Sequence, residues 1–366
     1  MNQSPFILNR EEKAAFELRS LYRAYGYLPY KMSKFEEYDL YVRNKDFLVS
    51  DNVITFTDTN GRLMALKPDV TLSIIKNGRD LPGQVEKVYY NENVYRISKG
   101  THAYKEIMQT GLECIGEIDR YQLTEVVLLA AESLRKISEK SVLDLSHLGI
   151  VSALLNEAGL STEGTKAIFA FLGEKNLHGA LEVCKNEGID DTYVAQIKTL
   201  IATYGSPDKV LPVLKTLSPA LQEGVTLLEE ITSALEANGL TDTVRIDFSV
   251  IHDMRYYNGI VFRGFVDGIP CGILSGGEYD RLLKKMGRKA KAIGFAVYLD
   301  LLEDLTEDSE YDVETVLLYD ETDAPAEILA ALQGLSAKTT VTALAQIPPK
   351  MKYKTVITVK EVANRG

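Results

Sequence analysis

Acidic and basic side chains recur in stretches of the chain that otherwise read as strands and short helices. Asp69, Arg96 and Glu113 are examples. A carboxylate accepts hydrogen bonds from a ligand ammonium group and a guanidinium binds a ligand carboxylate, so these residue types could hold a small charged metabolite. Each also has a simpler interpretation. Asp69 follows a proline and precedes a helical pattern, as an N-cap does, and Arg96 and Glu113 could be solvent-facing strand residues.

The motifs of several common chemistries are missing. The sequence has no glycine-rich phosphate loop, no Gly-x-Ser-x-Gly elbow and no metal-spaced cluster of His, Asp and Glu. Cys114, Cys184 and Cys271 are widely spaced and odd in number, which favours a reducing cytoplasm over a disulfide framework or a zinc site. We therefore expect a cytoplasmic protein that needs no metal or cofactor of its own.

The composition of the chain limits the kinds of partner that it can bind. The 366 residues are 45% apolar and 25% charged, as in an ordinary globular protein of two or three domains. No apolar run reaches the roughly 18 residues of a membrane span, and the first residues lack a secretory signal pattern. The net charge of −11 makes nucleic acid an improbable partner. The exception is a basic stretch at 281–291, which is either a solvated loop or a phosphate-facing or partner-facing edge.

The elements that would position the polar residues can be predicted from periodicity and turn signals. Asn60-Gly61 lies between two β-rich runs and predicts a hairpin. The predicted helices of the first part are 11–25, 71–77 and 122–139, and its predicted strands are 53–58, 62–66, 85–96 and 106–116.

The rest of the chain changes character twice. Residues 151–242 read as an all-helical insertion. Strands are then predicted at 243–250 and 259–266, with Asp267-Gly268 as a hairpin turn, and a helix at 294–302. An acidic linker precedes a small α/β module at 313–366. We predict an α+β fold, with residues 1–150 and 243–305 forming one domain around an antiparallel sheet flanked by helices.

Four phrases in this order resemble a known family. They are LKPDVT at 66–71, VYR…QTGLECIG at 94–116, MRYYNGIVF at 254–262 and GGEYDRLL…GFAVYLDLL at 276–302. Together they are similar to the catalytic domain of class II aminoacyl-tRNA synthetases, specifically the histidyl branch, over roughly residues 6–150 and 243–302. The resemblance implies the same antiparallel sheet with its flanking helices.

The resemblance also implies a pocket for free histidine. Arg96 would face the ligand carboxylate, and Glu113 and Tyr257 would contact the two imidazole nitrogens. A carboxylate facing an imidazole nitrogen favours the protonated ring. Taken alone, paired tyrosines in a strand more often only pack a sheet. The remaining predicted pocket residues are Asp69, Thr71 and Gln109 around the α-amine, and Tyr256 and Tyr279 as walls.

Several positions depart from the synthetase pattern. His252 and Leu301 replace two arginines that the family uses on the triphosphate. Tyr298 replaces a glycine near the adenine site, Glu278 replaces the arginine of a turn, and Ser33 replaces the proline of motif 1. Activation of an amino acid needs cations to stabilise charge at the reacting phosphorus, so these losses argue against use of ATP.

This combination is similar to the histidyl-tRNA-synthetase-like regulatory subunits of ATP phosphoribosyltransferase, the first enzyme of histidine biosynthesis. The resemblance implies a non-catalytic chain that activates a short-form catalytic subunit, pairs with a second copy of itself and confers feedback inhibition by histidine. Three alternatives remain: an adenylate-forming enzyme, an uncharged-tRNA or amino-acid sensor, and a structural scaffold with an empty pocket.

Overall fold

The structure is a computed structural model, and it describes residues 9–48, 53–78, 80, 83–97, 101–251, 257–304, 311–336 and 339–364. The chain divides into two compact units, of which Arg10–Leu302 is the larger and Glu303–Gly366 belongs to the smaller. Among the described residues, no helix is long and apolar enough to cross a membrane.

Thirteen α-helices occur among the described residues. They are α1 Arg10–Ala24, α2 Tyr38–Arg43, α3 Thr71–Asn77, α4 Arg120–Ile137, α5 Leu148–Glu157, α6 Thr162–Gly173, α7 Leu177–Asn186, α8 Asp191–Ala202, α9 Pro207–Leu217, α10 Gln222–Ala237, α11 Asp280–Lys285, α12 Pro325–Ser336 and α13 Val359–Ala363.

Fifteen strands occur in the same described residues. They are β1 Leu28–Pro29, β2 Phe35–Glu37, β3 Thr55–Thr57, β4 Leu63–Leu66, β5 Val85–Ile97, β6 Tyr104–Gly116, β7 Ser141–His147, β8 Tyr204–Gly205, β9 Val244–Asp247, β10 Ile260–Val266, β11 Leu274–Glu278, β12 Lys291–Tyr298, β13 Val313–Leu318, β14 Val341–Leu344 and β15 Tyr353–Thr358.

A nine-stranded sheet in the order β1-β5-β6-β12-β11-β10-β7-β9-β8 forms the centre of the larger unit. The α+β fold class is confirmed, but the sheet is mixed rather than wholly antiparallel. Strand β1 pairs parallel with β5, and β7 pairs parallel with β9. Parallel neighbours need a long crossover connection, and the helical segment between β7 and β9 supplies one.

The two faces of this sheet are covered differently. Helices α1 and α4 cover one face, where the ring of Tyr22 lies 6.3 Å from that of Tyr89 and 5.9 Å from that of Phe295. The opposite face carries an apolar core that includes Tyr90 and Leu282 and is built with α3 and α11. This second face carries the candidate site, and a small antiparallel sheet β2-β4-β3 lies beside it.

Strands β5 and β6 are the longest in the sheet and form a regular hairpin. They pair without a break from Val85 opposite Gly116 to Ile97 opposite Tyr104. Side chains alternate between faces along each strand. The hairpin therefore places Arg96, Gln109 and Glu113 on one face and in a fixed spacing.

Three local predictions need correction. The segment predicted as a helix at 294–302 is strand β12 up to Tyr298, followed by the 3-10 turn Leu299–Asp304. Buried central strands carry continuous apolar runs, which periodicity alone does not distinguish from a helix. The insertion is not all helical, because β8 pairs with β9. Asp267-Gly268 does form a turn, in which the Ile269 N–H donates to the Val266 carbonyl at 3.2 Å, but the connection is longer than a tight hairpin because pairing between β10 and β11 resumes only at Leu274.

The smaller unit is an α/β module. Strands β13, β14 and β15 form a parallel sheet in the order β14-β13-β15, and α12 and α13 contribute to its core. Leu317, Ala331, Ile357 and Val359 are its buried residues.

Candidate functional site

The Glu113 carboxyl group lies at the centre of the candidate site. It is buried in the middle strands of the sheet and accepts hydrogen bonds from the Thr71 hydroxyl at 2.6 Å and the Tyr279 hydroxyl at 2.6 Å. Burial raises the pKa of Glu113 to about 8, although both hydroxyl groups act in the opposite direction. Directly opposite on β12 is Gly294, where any side chain would overlap the Glu113 carboxyl group.

A second carboxyl group, Asp69, lies near the first. Its Oδ1 accepts the backbone N–H of Leu72 at 2.8 Å, as expected of a residue at the start of α3. Burial raises the pKa of Asp69, an effect that the Leu72 N–H and the charge of Arg96 only partly offset. The negative charge of Asp69 also contributes to the raised pKa of Glu113. The capping interpretation of Asp69 is confirmed by its bond to the Leu72 N–H, and its role toward a ligand stays a prediction.

The other predicted pocket residues lie around these two acids. Arg96 donates from Nε to the carbonyl of Pro68 at 3.1 Å, which holds its guanidinium beside Asp69. Gln109 is 3% exposed, and its side-chain Nε2 has no hydrogen-bond partner in the described part of the chain. Burial raises the pKa of Tyr257 well above its usual value, and the charges of Glu113 and Asp69 add to the effect. Tyr256 lies outside the described residues.

The positions that depart from the synthetase pattern have identifiable local roles where they are described. The Glu278 carboxylate accepts the backbone N–H of Ile260 at 2.6 Å and so fixes the start of β10. Burial raises the pKa of Glu278 to about 7. Leu301 lies in the 3-10 turn after β12, and His252 lies outside the described residues.

Tyr298 has a specific place in the sheet. It lies opposite Gln109, and its hydroxyl is 3.1 Å from the Ser275 hydroxyl on β11. The ring therefore reaches from β12 across to β11. Beneath it runs one row of directly opposed residues on the site face: Tyr90, Gly111, Ala296, Ser275, Arg263, Asp144 and Arg245. The centre of that row consists of the small residues Gly111, Ala296 and Ser275, and the Tyr298 hydroxyl lies beside the last of them.

Sequence reasoning missed two contributors to the site. Lys67 is fully buried and forms an ion pair with Glu92, which lies opposite Gln109 on β5. Tyr90 is also buried, and burial raises its pKa well above the usual value, with Glu113 as the next cause. A buried lysine has no sequence signature. Tyr90 and Glu92 could have been found, because they lie six and four residues before Arg96 and side chains an even number of residues apart on a strand share one face.

The basic stretch at 281–291 is only partly a free surface. The Arg288 side chain is 11% exposed and binds Asp80 at 2.7 Å and the carbonyl of Ile75 at 3.1 Å. The ammonium group of Lys285 lies 4.9 Å from the ring centroid of Phe47. Arg288 is thus a structural residue that ties the end of α11 to α3.

The larger unit has the features of a class II synthetase-like domain: a mixed sheet, a helical crossover and a buried acidic pocket. The chain matches the family model described as histidyl-tRNA synthetase over residues 4–302. Its similarity to the ATP phosphoribosyltransferase regulatory subunit of Desulfitobacterium hafniense strain Y51 is 30% identity over 277 residues, covering 74% of this chain and 71% of that protein.

Two solved structures share the fold. One is an ATP phosphoribosyltransferase regulatory subunit/histidyl-tRNA synthetase from Bacillus halodurans, with a TM-score of 0.75, 24% identity and coverage of 98% of each chain. The other is in the ATP phosphoribosyltransferase HisG:HisZ complex from Thermotoga maritima, with a TM-score of 0.64, 21% identity and coverage of 80% of this chain and 98% of that one. The chain belongs to the histidyl-tRNA synthetase family and, within it, to the ATP phosphoribosyltransferase regulatory subunits.

Proposed function

We propose that this chain activates a short-form ATP phosphoribosyltransferase catalytic subunit in the cytoplasm and makes it sensitive to feedback inhibition by histidine. Two findings support the proposal. The relatives carry the name of the regulatory subunit, and one structural neighbour comes from a complex with the transferase. The chain itself performs no step of the reaction, so the chemistry takes place on the catalytic subunit.

The observation that carries the histidine part of the proposal is the charge of the pocket. Burial, and to a smaller extent the charge of Asp69, raise the pKa of Glu113, and the contacts of Glu113 in the described residues are with hydroxyl groups rather than a cation. Ionised carboxylates in a buried site need a compensating positive charge. A ligand that brings both an ammonium group and a protonatable ring supplies it, and histidine is such a ligand.

The arrangement suggests an orientation for the ligand. The imidazole ring lies against Glu113 and Tyr257, and the α-amine lies near Asp69, where the side chain of Gln109 is buried and available. Arg96 faces the ligand carboxylate. Histidine inhibits only if it binds one state of the complex more tightly than the other, because coupling between sites is a difference of affinities.

Several features support a pocket that binds without activating the amino acid. Leu301 has no charge to offer a triphosphate, and the large ring of Tyr298 lies opposite Gln109, with its hydroxyl beside Ser275. Electrostatic stabilisation of a phosphoryl transition state needs preorganised cations. A pyrophosphate-exchange assay with histidine tests whether the pocket activates the amino acid. We expect no exchange above background, and exchange above background would favour the adenylate-forming alternative.

The decisive experiment is reconstitution. A purified short-form catalytic subunit from the same organism is assayed for phosphoribosyl-ATP formation alone, with this chain, and with this chain and histidine. We expect activity only in the mixture, and a fall in that activity when histidine is added. No activation by the wild-type chain would refute the regulatory function and direct attention to the sensor alternatives, for which tRNA binding with a steep salt dependence is the next measurement.

Two variants distinguish histidine binding in the pocket from activation of the catalytic subunit. Glu113→Gln keeps the shape of the side chain but cannot ionise beside a protonated imidazole, so the concentration of histidine for half inhibition should rise at least about tenfold, the equivalent of about 1.4 kcal/mol, while activation persists. Glu182→Gln, on the exposed surface of α7, is the matched control and should behave as wild type. Equal inhibition of both variants would place histidine elsewhere, for example at the interface between subunits.

The chain also pairs with a second copy of itself in this proposal. Phe35 is 47% exposed and packs edge-on against Phe56, with ring centroids 5.3 Å apart. Phe56 is itself 39% exposed. Exposed apolar groups close together are common at protein interfaces. Sedimentation of the isolated chain should give the mass of a dimer, and a mass of one chain at all concentrations would contradict this.

A further inference from the structure

A second cleft, which shares no lining residue with the Glu113 pocket, opens elsewhere in the larger unit. It has a volume of about 450 Å³. The first turns of α4, α5 and α10 line it, together with Lys291 at the start of β12. The size is that of a small-molecule site.

Three helix N-termini therefore meet at this cleft. The helices are long enough to carry a dipole, with 18 residues in α4, 10 in α5 and 16 in α10. Free N–H groups and the dipole make a helix N-terminus favourable for an anion. Asp119 caps α4 by accepting the backbone N–H of Tyr121 at 2.7 Å and of Gln122 at 3.2 Å. Helix α10 continues a 3-10 turn at Pro219–Leu221, so the N–H of Gln222 already donates to the carbonyl of Pro219, and it is the dipole of α10 that faces the cleft.

His147 provides a hydrogen-bond donor, its Nε2–H, at the cleft. Its Nδ1 accepts the backbone N–H of Ile150 at 3.3 Å, so in the neutral ring the proton is on Nε2. Within the described part of the chain, Nε2 has no hydrogen-bond partner, and the half-buried ring lines the cleft. Burial lowers the pKa of His147 to about 4, so the ring is neutral at physiological pH.

Two glycines keep the imidazole at the cleft. A Cβ at Gly149 would lie 2.7 Å from Cε1 of His147. A Cβ at Gly224 on α10 would lie 2.5 Å from Cγ1 of Ile150 and 3.5 Å from Cε1 of His147. Any larger residue would push the ring or α10 aside. The close approach of α5 and α10 around His147 therefore depends on these two glycines.

Charges at the rim and apolar groups on the floor define the ligand. Arg120 is paired with Glu230, and Glu223 and Asp119 are the acids that line the cleft. Lys291 is exposed and makes no ion pair within the described residues. It is thus the cation available to a ligand. The floor is apolar, formed by Ile118, Leu123, Ile150 and Leu221.

We propose that this cleft is a second ligand site, which binds a small organic anion, a carboxylate or a phosphate ester, through His147 and Lys291. The anionic group accepts the Nε2–H of His147 and faces the helix N-termini, and the apolar body of the ligand lies on Ile118 and Leu221. The site is independent of histidine binding at Glu113 and of the partner subunit, so it stands even if the proposed function fails.

The test uses the full chain with ¹⁵N-labelled histidine side chains. Phenyl phosphate and phenylacetate are titrated in, and 2-phenylethanol serves as the neutral probe of the same apolar size. We expect saturable shifts of the His147 ring signals with one or both anions and none with the alcohol, and a higher pKa of His147 in the complex because a negative charge favours the protonated ring. The tighter of the two anions identifies the class of natural ligand.

Variants make the test specific. Lys291→Gln should weaken anion binding at least about fivefold, while Lys289→Gln, an exposed neighbour that does not line the cleft, should leave it unchanged. His147→Gln, which can still accept the Ile150 N–H, assigns the signals and should weaken binding. His147 signals unmoved by both anions, equal shifts with the alcohol, or equal loss in both lysine variants would overturn the site.

Discussion

Glu113 illustrates how a functional residue reduces the stability of the fold that holds it. Two hydroxyl groups donate to its carboxyl group and Asp69 lies nearby, yet burial dominates and the pKa is about 8. In the unfolded chain the pKa returns to about 4.5. Between these values the folded protein holds a proton that the unfolded chain has released. The folded state therefore loses stability as the pH rises through this range.

The first prediction follows from this loss of stability with rising pH. Between about pH 5 and about pH 8, wild type should lose about 3 kcal/mol more free energy of unfolding than Glu113→Gln, whose amide does not titrate. Urea unfolding at the two pH values measures the difference. If the free energy of unfolding changed equally with pH in wild type and Glu113→Gln, Glu113 would not be the buried titrating group.

A second prediction concerns the buried pair of Lys67 and Glu92. Lys67→Met leaves the Glu92 carboxylate without its cation in a largely buried place and should cost about 3 kcal/mol. Glu92→Gln added to it should restore at least half. Lys140→Met is the control, because its partner Asp267 is 3.7 Å away at an exposed site, where pairs contribute about 0 to 1 kcal/mol. Equal losses in the two lysine variants in urea unfolding would contradict the prediction.

At this scale, motif order predicted residues that lie together, and burial could not be predicted. Glu113 accepts hydrogen bonds from both Thr71 and Tyr279, and the role of these residues toward histidine stays a prediction. Lys67 could not be predicted, because lysines are rarely buried and its partner lies 25 residues along the chain.

At the scale of elements, the site depends on the close pairing of β6 and β12. Gly294 lies opposite Glu113, and the strands meet there without an intervening side chain. The hairpin of β5 and β6 then sets the spacing of the remaining site residues. The pocket is thus held by regular strands rather than by loops.

The third prediction tests this geometry. Gly294→Ala should displace the Glu113 carboxyl group, weaken histidine binding at least about tenfold and cost about 1 to 3 kcal/mol of stability through overpacking. Gly173→Ala in α6 is the matched control, since its Cβ would meet only Ile251 at 3.9 Å, and it should leave histidine binding unchanged. Calorimetric titration with histidine measures both. Unchanged affinity in Gly294→Ala would contradict the assignment of the pocket.

Element prediction depended on periodicity and failed where periodicity is ambiguous. The bounds of α3 at 71–77 agree with the structure, and the Asn60-Gly61 turn joins β3 and β4 as expected. Strand β12 was mistaken for a helix because its central residues are buried on both faces. The two-residue strand β8 exists only through its pairing with β9, which no local pattern reveals.

At the scale of the whole molecule, every described pocket residue belongs to the unit Arg10–Leu302. The fourth prediction is therefore that a chain ending at residue 304 keeps the histidine-induced rise in melting temperature of the full chain. Ligands stabilise the state that binds them, so the shift reports affinity directly. Thermal unfolding with increasing histidine measures it, and loss of the shift in a folded truncated chain would mean that the smaller unit contributes to the site.

The overall architecture was the most predictable level. Family motifs in order imply the class II fold, and no helix among the described residues is long and apolar enough to cross a membrane. The mixed sheet was not predictable, because the parallel pairing of β7 with β9 depends on how the intervening helices return the chain to the sheet.

That parallel pairing has a consequence for how the chain folds. Leu143 contacts Val244 only after about a hundred intervening residues have been brought together, and closing so long a loop is entropically unfavourable unless the loop is already compact. The helices between them make many contacts with their own neighbours. We therefore expect α5–α10 to become ordered early as a local cluster. The last two strands of the sheet would then join late, as the slow step of refolding.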